Sequence, residues 1–302
     1  MSNYFVSLAG TPAGSQLALL LALFAAVMHA IFGALQKGRH DPWLSRGAID
    51  FSYGLMAAPF ALFVVPWPEP HMWLLFVGML AIHVIYKITQ GMAYSHGAYT
   101  VVYPVVRGLG PLVTVIAAGF VFGETFALAQ WGGVLLLTLS ILALAGVNLS
   151  RETKINRGEL RLALLWACLG GIMVAAYTTY DAYGIRATAD PFTFLAWFFF
   201  IDGMVVFPWF ALLRWRRMDD RPTLGPLMTR GFIGGIVAFL SFGSIMMATR
   251  LDSVGEAAVL RETSPVFAAL IGYFFLKETV GPTRGMLMGL IALGAVFVEF
   301  GG

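Results

Sequence analysis

Several ionisable residues of this chain sit inside long apolar runs, where few residue types are free of consequence. The stretch VLRETSPVFAALIGYFFLKET, Val259 to Thr279, carries Arg261 and Glu262 side by side, with Pro265 close behind. An earlier stretch, VVRGLGPLVTVIAAGFVFGET from Val105 to Thr125, carries Arg107 and Pro111. His83, Lys87, Gln90 and Tyr94 recur at steps of four, three and four, which places one polar stripe on an otherwise apolar helix. Tyr99, Tyr103, Arg107 and Gly110 are spaced to share another helix face. His29 with Gly33 and Gln36, and Tyr177 with Tyr180 and Asp181, repeat the theme. Asp202 stands near the middle of its own apolar run. A fixed cation among aromatic rings can clamp a carboxylate or phosphate. The competing reading of each residue is structural: ion pairs and hydrogen bonds that pin one helix to the next.

Neighbours on a helix point about 100° apart, so Arg261 and Glu262 are not expected to neutralise each other. Arg261 is expected to face a cavity with Ser264, and Glu262 to meet another helix or an unwound backbone. Pro265 frees the carbonyl of Arg261, a loss tolerated at membrane depth beside a cavity or a neighbouring helix. Asp202 is read as a counter-ion to Lys87 or Arg261, or as a protonatable coupling residue. Asp50 and Glu256, near helix ends, are expected to reach water. Glu124 and Glu278 are read as structural helix terminators.

The elements that must position these groups follow from composition. The chain has 302 residues, 59% of them hydrophobic and 12% charged, and so too little polar surface for water as its solvent. About 20 mostly apolar residues make one helical crossing of a bilayer. Ten such stretches can be drawn, at 16–36, 44–65, 72–94, 98–122, 128–149, 159–180, 192–214, 229–249, 254–276 and 282–300. The expected fold is an all-α integral membrane protein. A charge at the centre of such a helix costs roughly 2.5–3.5 kcal/mol on insertion scales, so each needs a partner or a purpose. The N-terminal MSNYFVSLAGTPAGSQ has no basic residue and does not read as a cleavable signal peptide. The single cysteine, Cys168, allows no intramolecular disulfide.

Fourteen Lys and Arg fall in the connections after the odd-numbered spans, and only Arg186 and Arg250 on the opposite side. That asymmetry places the basic connections in the cytoplasm and both termini outside, in a multi-pass protein of the inner (plasma) membrane.

The two opening stretches are also copies of each other. At an offset of 154, Arg107 falls on Arg261, Pro111 on Pro265, Phe120 on Phe274, Glu124 on Glu278 and Thr125 on Thr279. At an offset of 149, HDPWLS (His40–Ser45) falls on ADPFTF (Ala189–Phe194), and Pro59 on Pro208. The expected division is therefore 1–150 and 151–302. Five spans is an odd number, so the second half enters the membrane inverted. Inverted repeats are a recurrent transporter plan, with the solute site near the midplane where the halves meet. Arg107 and Arg261 then lie about 14 and 11 Å deep from opposite faces.

Two five-helix halves, a proline in the fourth helix of each, and a terminal GET or KET resemble the EamA branch of the drug/metabolite transporter superfamily. The resemblance covers essentially the whole chain and implies a ten-helix carrier for a small organic solute, with a cavity lined by helices 1, 3, 4, 6, 8 and 9. In many members of that family the positive loops place both termini in the cytoplasm, the reverse of the count here.

The function expected is secondary transport of a small amphipathic metabolite, an amino acid or organic anion, by alternating access, export being one direction such a carrier serves. The expected substrate residues are Arg107, Arg261, Lys87, Tyr103, Tyr99, His83, Gln90, Tyr94, His29 and Tyr177, with Glu262 and Asp202 as coupling or ion-pair residues. The central cations Lys87, Arg107 and Arg261 slightly outnumber Asp202 and Glu262, which favours a solute with an anionic group. The alternative is an intramembrane enzyme acting on a lipid or isoprenoid through His29, His83 and Asp202; a non-transporting sensor is a third. Phosphate loops, zinc-binding His-Glu pairs and nucleophile elbows are absent from the sequence. No cofactor, metal or nucleic-acid partner is expected, and the protein is read as a non-enzyme. Gly281, Gly285 and Gly289, four residues apart, suggest a close-approach face for helix packing or a homodimer.

Overall fold

The computed structural model describes residues 2–36, 41–97, 99–150, 157–276 and 281–302, less the side chains at 34, 36, 99–101, 157, 272, 273, 275 and 276. Gln36, Tyr99 and Glu278 of the readings above therefore lie, as side chains, outside the described residues. Within them every regular element is a helix. In chain order these are α1 (Ser2–Ser7), α2 (Pro12–Gln36), α3 (Pro42–Phe63), α4 (Pro70–His96), α5 (Tyr99–Phe122), α6 (Leu128–Ser150) and α7 (Arg157–Arg186). There follow α8 (Pro191–Met204), α9 (Phe207–Arg217), α10 (Leu224–Leu251), α11 (Val254–Arg261), α12 (Ser264–Leu276) and α13 (Pro282–Phe300).

Local chemistry explains where helices begin. Asp41 accepts hydrogen bonds from the backbone N–H of Trp43 and Leu44, and Asp190 accepts one from Phe192, each followed by a proline in the first turn. The paired HDPWLS and ADPFTF segments are thus one device used twice, an aspartate N-cap with proline where no N–H is missed.

Among the described residues, eight segments are long and apolar enough to cross a membrane. The expected spans at 44–65 and 254–276 are not among them. The first carries Arg46 and Asp50 in α3; the second is divided into α11 and α12, of 8 and 13 residues. The span drawn at 192–214 is also two helices, separated at Val205–Val206. Pro208 accounts for that break, since its ring displaces the carbonyl of Met204 four residues back. The indole N–H of Trp209 donates to that carbonyl at 2.9 Å. By contrast α5 runs unbroken through Pro104 and Pro111.

The helices pack α2 against α10, α4 against α7, α5 against α7 and α11–α12 against α2, with α3 facing α8 and α10, and α6 facing α13 and α5. Where α3 meets α8, a Cβ on Gly54 would lie 2.8 Å from the backbone of Gly203, and one on Gly203 only 2.6 Å from that of Gly54. Where α6 meets α13, a Cβ on Gly133 would lie 2.6 Å from the Gly294 carbonyl, and one on Gly294 2.7 Å from that of Gly133. Only glycine permits these approaches. The expected Gly281–Gly289 face is not one of them, because a Cβ at either position meets nothing within 4 Å.

The interior is aromatic and small: Phe76, Phe194, Trp197 and Phe198 pack between α4 and α8, while alanines of α2 let α10 and α11 close in. The exterior is apolar too, with Phe63, Leu74, Phe120 and Leu128 each more than three-quarters exposed. A surface of that kind belongs in hydrocarbon.

Candidate functional site

Buried charge gathers in two neighbouring clusters. In the first, Lys87 of α4 reaches Asp50 of α3 at 2.7 Å and Asp202 of α8 at 2.8 Å. Asp50 also holds Arg46, one turn earlier, at 2.8 Å. The Tyr53 hydroxyl bonds Asp202, and His83 stands between Asp181 at 2.9 Å and Asp202 at 3.7 Å. The stripe His83–Lys87 thus turns inward because four-residue spacing aims both at carboxylates on facing helices. Asp50 is fully buried and does not reach water, contrary to the expectation from its place near a helix end; the reason is that α9 and α10 cover the start of α3. Glu256 is partly buried instead, accepting from the Gln130 amide at 2.8 Å.

In the second cluster Arg107 of α5 and Arg261 of α11 converge on Glu262. Arg107 Nη1 lies 2.8 Å from Glu262 Oε1, and Arg261 Nε 3.4 Å from the same oxygen. Arg107 also bonds His29 of α2, and its guanidinium lies 5.4 Å from the centre of the Tyr103 ring, on which His29 stacks at 6.2 Å. Arg261 and Glu262 do meet, against the helical expectation. The helix ends between them: Glu262 is the C-cap of α11, with φ −78° and ψ 6°, so the 100° separation no longer holds. Tyr177 lies between the clusters, its ring 6.0 Å from the Arg261 guanidinium and 5.1 Å from the ring of His83.

Charges balance across the clusters. Arg46, Lys87, Arg107 and Arg261 face Asp50, Asp181, Asp202 and Glu262. The expected excess of central cations is therefore corrected: Asp50 and Asp181 cancel it. Isolated charges would not survive burial here, and paired ones do so only with this density of partners.

A cavity of about 210 Å³ opens beside the first cluster, at the end of the molecule where α3 and α10 begin. Lys87, Arg46 and Arg230 supply its charge, Gln90 its amide, and Trp43, Tyr94 and Phe207 its aromatic wall. Of the expected substrate residues, Lys87, Gln90 and Tyr94 border this cavity. Arg107, Arg261, Tyr103 and His29 form the second cluster, His83 belongs to the first, and Tyr177 lies between the two. Gln90 donates to the Tyr86 hydroxyl at 2.9 Å. Reasoning from sequence missed Arg46, Tyr53 and Tyr86; the step of four from Arg46 to Asp50 was a usable signal for the first.

The opposite end is closed by polar contacts. Glu124, at the end of α5, accepts from Ser253 Oγ at 2.8 Å and from the backbone N–H of Val254 and Gly255 at 2.7 and 3.0 Å. Arg186, at the end of α7, donates to the carbonyls of Thr249 and Asp252 at 2.7 and 2.6 Å. These bonds tie α5, α7, α10 and α11 together.

Apolar helices with a hydrocarbon-suited exterior, around a buried and balanced charge network, define a multi-pass membrane protein. Residues 161–300 match the EamA-like transporter family, and this match, with the relatives below, supports a place in the EamA branch of the drug/metabolite transporter superfamily. It is 30% identical over 122 residues to an uncharacterized transporter, YdfC, of Bacillus subtilis, a match spanning 39% of this chain and 38% of that one. It is 23% identical over 194 residues to a WAT1-related chloroplastic protein of Arabidopsis thaliana, across 61% of this chain and 45% of that one. These matches span less than half the length of either relative. A solved crystal structure shares the fold at a TM-score of 0.70 and 16% identity, covering 96% of this chain and 99% of that one.

Proposed function

We propose that the protein is a secondary carrier whose two inverted five-helix halves, 1–150 and 151–302, move a small amphipathic solute by alternating access. The observation that carries this reading is a cavity at one end of the molecule bordered by Lys87, whose two carboxylate partners lie behind it, with polar contacts tying the helices together at the other end. The pairwise packing of corresponding helices and the reciprocal glycine contacts support the inverted repeat, since self-complementary contacts are what a two-fold axis produces. On this reading α11 and α12 form one interrupted span, which with α3 completes ten.

Charge balance bears on the solute. A simple anion drawn to Lys87 would have to displace Asp50 or Asp202 and leave a buried carboxylate unpaired, at a cost of several kcal/mol. A zwitterion brings both charges and can exchange ion pairs without orphaning one. An amino acid with an apolar or aromatic side chain suits this cavity best, its side chain against Trp43, Tyr94 and Phe207. Thermal-shift screening of the detergent-purified protein against amino acids and organic acids should find stabilising ligands among the amino acids, because a ligand of the folded state must stabilise it. Counterflow of the hit in proteoliposomes should fall with Gln90→Ala and Tyr94→Ala, which change the cavity and spare the ion pairs. Movement of lipophilic cations alone, or wild-type ligand response in both variants, would sink the proposal.

A further inference from the structure

Outside the charge clusters, a groove of about 390 Å³ lies on the flank of α3, α9 and α10. Its walls are almost entirely apolar, from Phe51 and Met204 at one end to Trp215 and Leu224 at the other. It exists because its floor is made of the smallest residues. Gly47 and Ala211 bring α3 and α9 together so closely that a Cβ on Gly47 would lie 2.2 Å from that of Ala211, and Ala48 meets Gly231 of α10 in the same way at 2.7 Å. Larger side chains at these positions would both separate the helices and fill the groove. Leu227 borders the groove on one side and the central cavity on the other.

The mouth of the groove is basic. Pro208 and Leu212 of α9 line it, and Arg216, exposed, continues that face at the next step of four. Arg221 lies with its guanidinium 5.5 Å from the centre of the Trp215 ring, itself a groove wall. Its donors to the carbonyls of Met218 at 3.1 Å and Arg216 at 2.8 Å fix it there. The α9 end, the connection and the start of α10 carry Arg214, Arg216, Arg217, Arg221 and Arg230 against Asp219 and Asp220. Arg214 is committed to Asp41 at 2.6 Å. What remains is an apolar slot ending in a cationic rim at the level where helices leave the membrane.

We infer that this groove is a binding site for an anionic phospholipid, with one acyl chain between α3 and α9 and the phosphate at Arg216 and Arg221. Charge complementarity selects the occupant. A neutral lipid would fill the slot and leave the rim unanswered, whereas basic residues at a membrane surface attract anionic headgroups by about 1 kcal/mol each, roughly five-fold in affinity. The bound chain presses on Leu227 and so braces the wall that the groove shares with the central cavity. This inference stands independently of the transported solute and of transport itself.

The test uses the full-length protein in detergent, offered phosphatidylglycerol or phosphatidylcholine and read by native mass spectrometry and thermal midpoint. The wild type should retain phosphatidylglycerol preferentially and melt higher with it. Arg216→Gln and Arg221→Gln should each cut the preference by roughly five-fold. Met228→Trp, which fills the slot from a half-buried position, should abolish retention of both lipids. Melting of each variant without lipid establishes that it folds. Equal retention of the two lipids by the wild type, or preference unchanged in both arginine variants, would overturn the site. So would loss of a protein dimer in Met228→Trp with lipid retention intact, since the groove would then belong to a second copy of the chain.

Discussion

Glu262 carries two arginines on one carboxylate, and the consequence of losing any member differs by position. Arg107→Met leaves Glu262 with Arg261 alone; Glu262→Gln leaves two buried guanidiniums facing each other. Breaking a buried pair from one side costs about 3–5 kcal/mol. Each single variant should therefore melt well below wild type, while the double variant should lie closer to wild type than the two losses added. A double-mutant cycle on thermal midpoints measures this, and strict additivity would mean the pair is not coupled. At the surface, Asp41 responds to acid. Burial by itself would raise its pKa, but the Arg214 hydrogen bond, with those from Leu44 and Trp43, outweighs burial and holds it below the ordinary carboxylate value. A depressed pKa means stability that is present above the unfolded-state value of 3.8 and is lost as pH falls through the folded value. Asp41→Asn should remove that acid-dependent part of the melting curve and lower stability at neutral pH.

The helix interruptions place the charge. Where α11 ends, the Glu262 carboxylate meets both Arg261 beside it and Arg107 across on α5. Pro265 and the paired Arg107, Arg261 and Pro111 mark the location of the break in the sequence. The outcome was not legible, because a proline is compatible with either a kink or a full stop, and α5 continues through Pro111 without a stop. Eight of the ten spans drawn from hydropathy coincide with candidate membrane segments, their ends within six residues, and those at 44–65 and 254–276 do not. The partners of Lys87 were half legible: Asp202 stands out as a lone acid in an apolar run, whereas Asp50, near a helix end, resembles an exposed residue until α9 and α10 are laid over it. At the closed end, Glu124 acts as a remote N-cap for α11. Glu124→Ala should cost about 1 kcal/mol, as loss of an N-cap does. It should also raise the reactivity of Asp252→Cys toward an impermeant maleimide, in a Cys168→Ala background. Unchanged labelling would show that the closure does not depend on this carboxylate.

For the molecule as a whole, the cavity is open at one end and tied shut at the other. Alternating access requires the reverse arrangement to exist as well. Ser45 borders the cavity, so Ser45→Cys in the Cys168→Ala background should be labelled from the face bearing the α9–α10 connection, and protected by transported solute. Labelling indifferent to solute would argue for a static vestibule. The two places where backbone meets backbone, Gly54 on Gly203 and Gly133 on Gly294, join α3 to α8 and α6 to α13. Each glycine is required by its partner as much as by its own helix. A methyl added at one member lands on the other's main chain, where no rotamer can yield. The four glycines are thus two heritable units, not four sites. Substitutions at them should be rejected one by one in a saturation library, and in descendants of this gene each pair should change together or not at all.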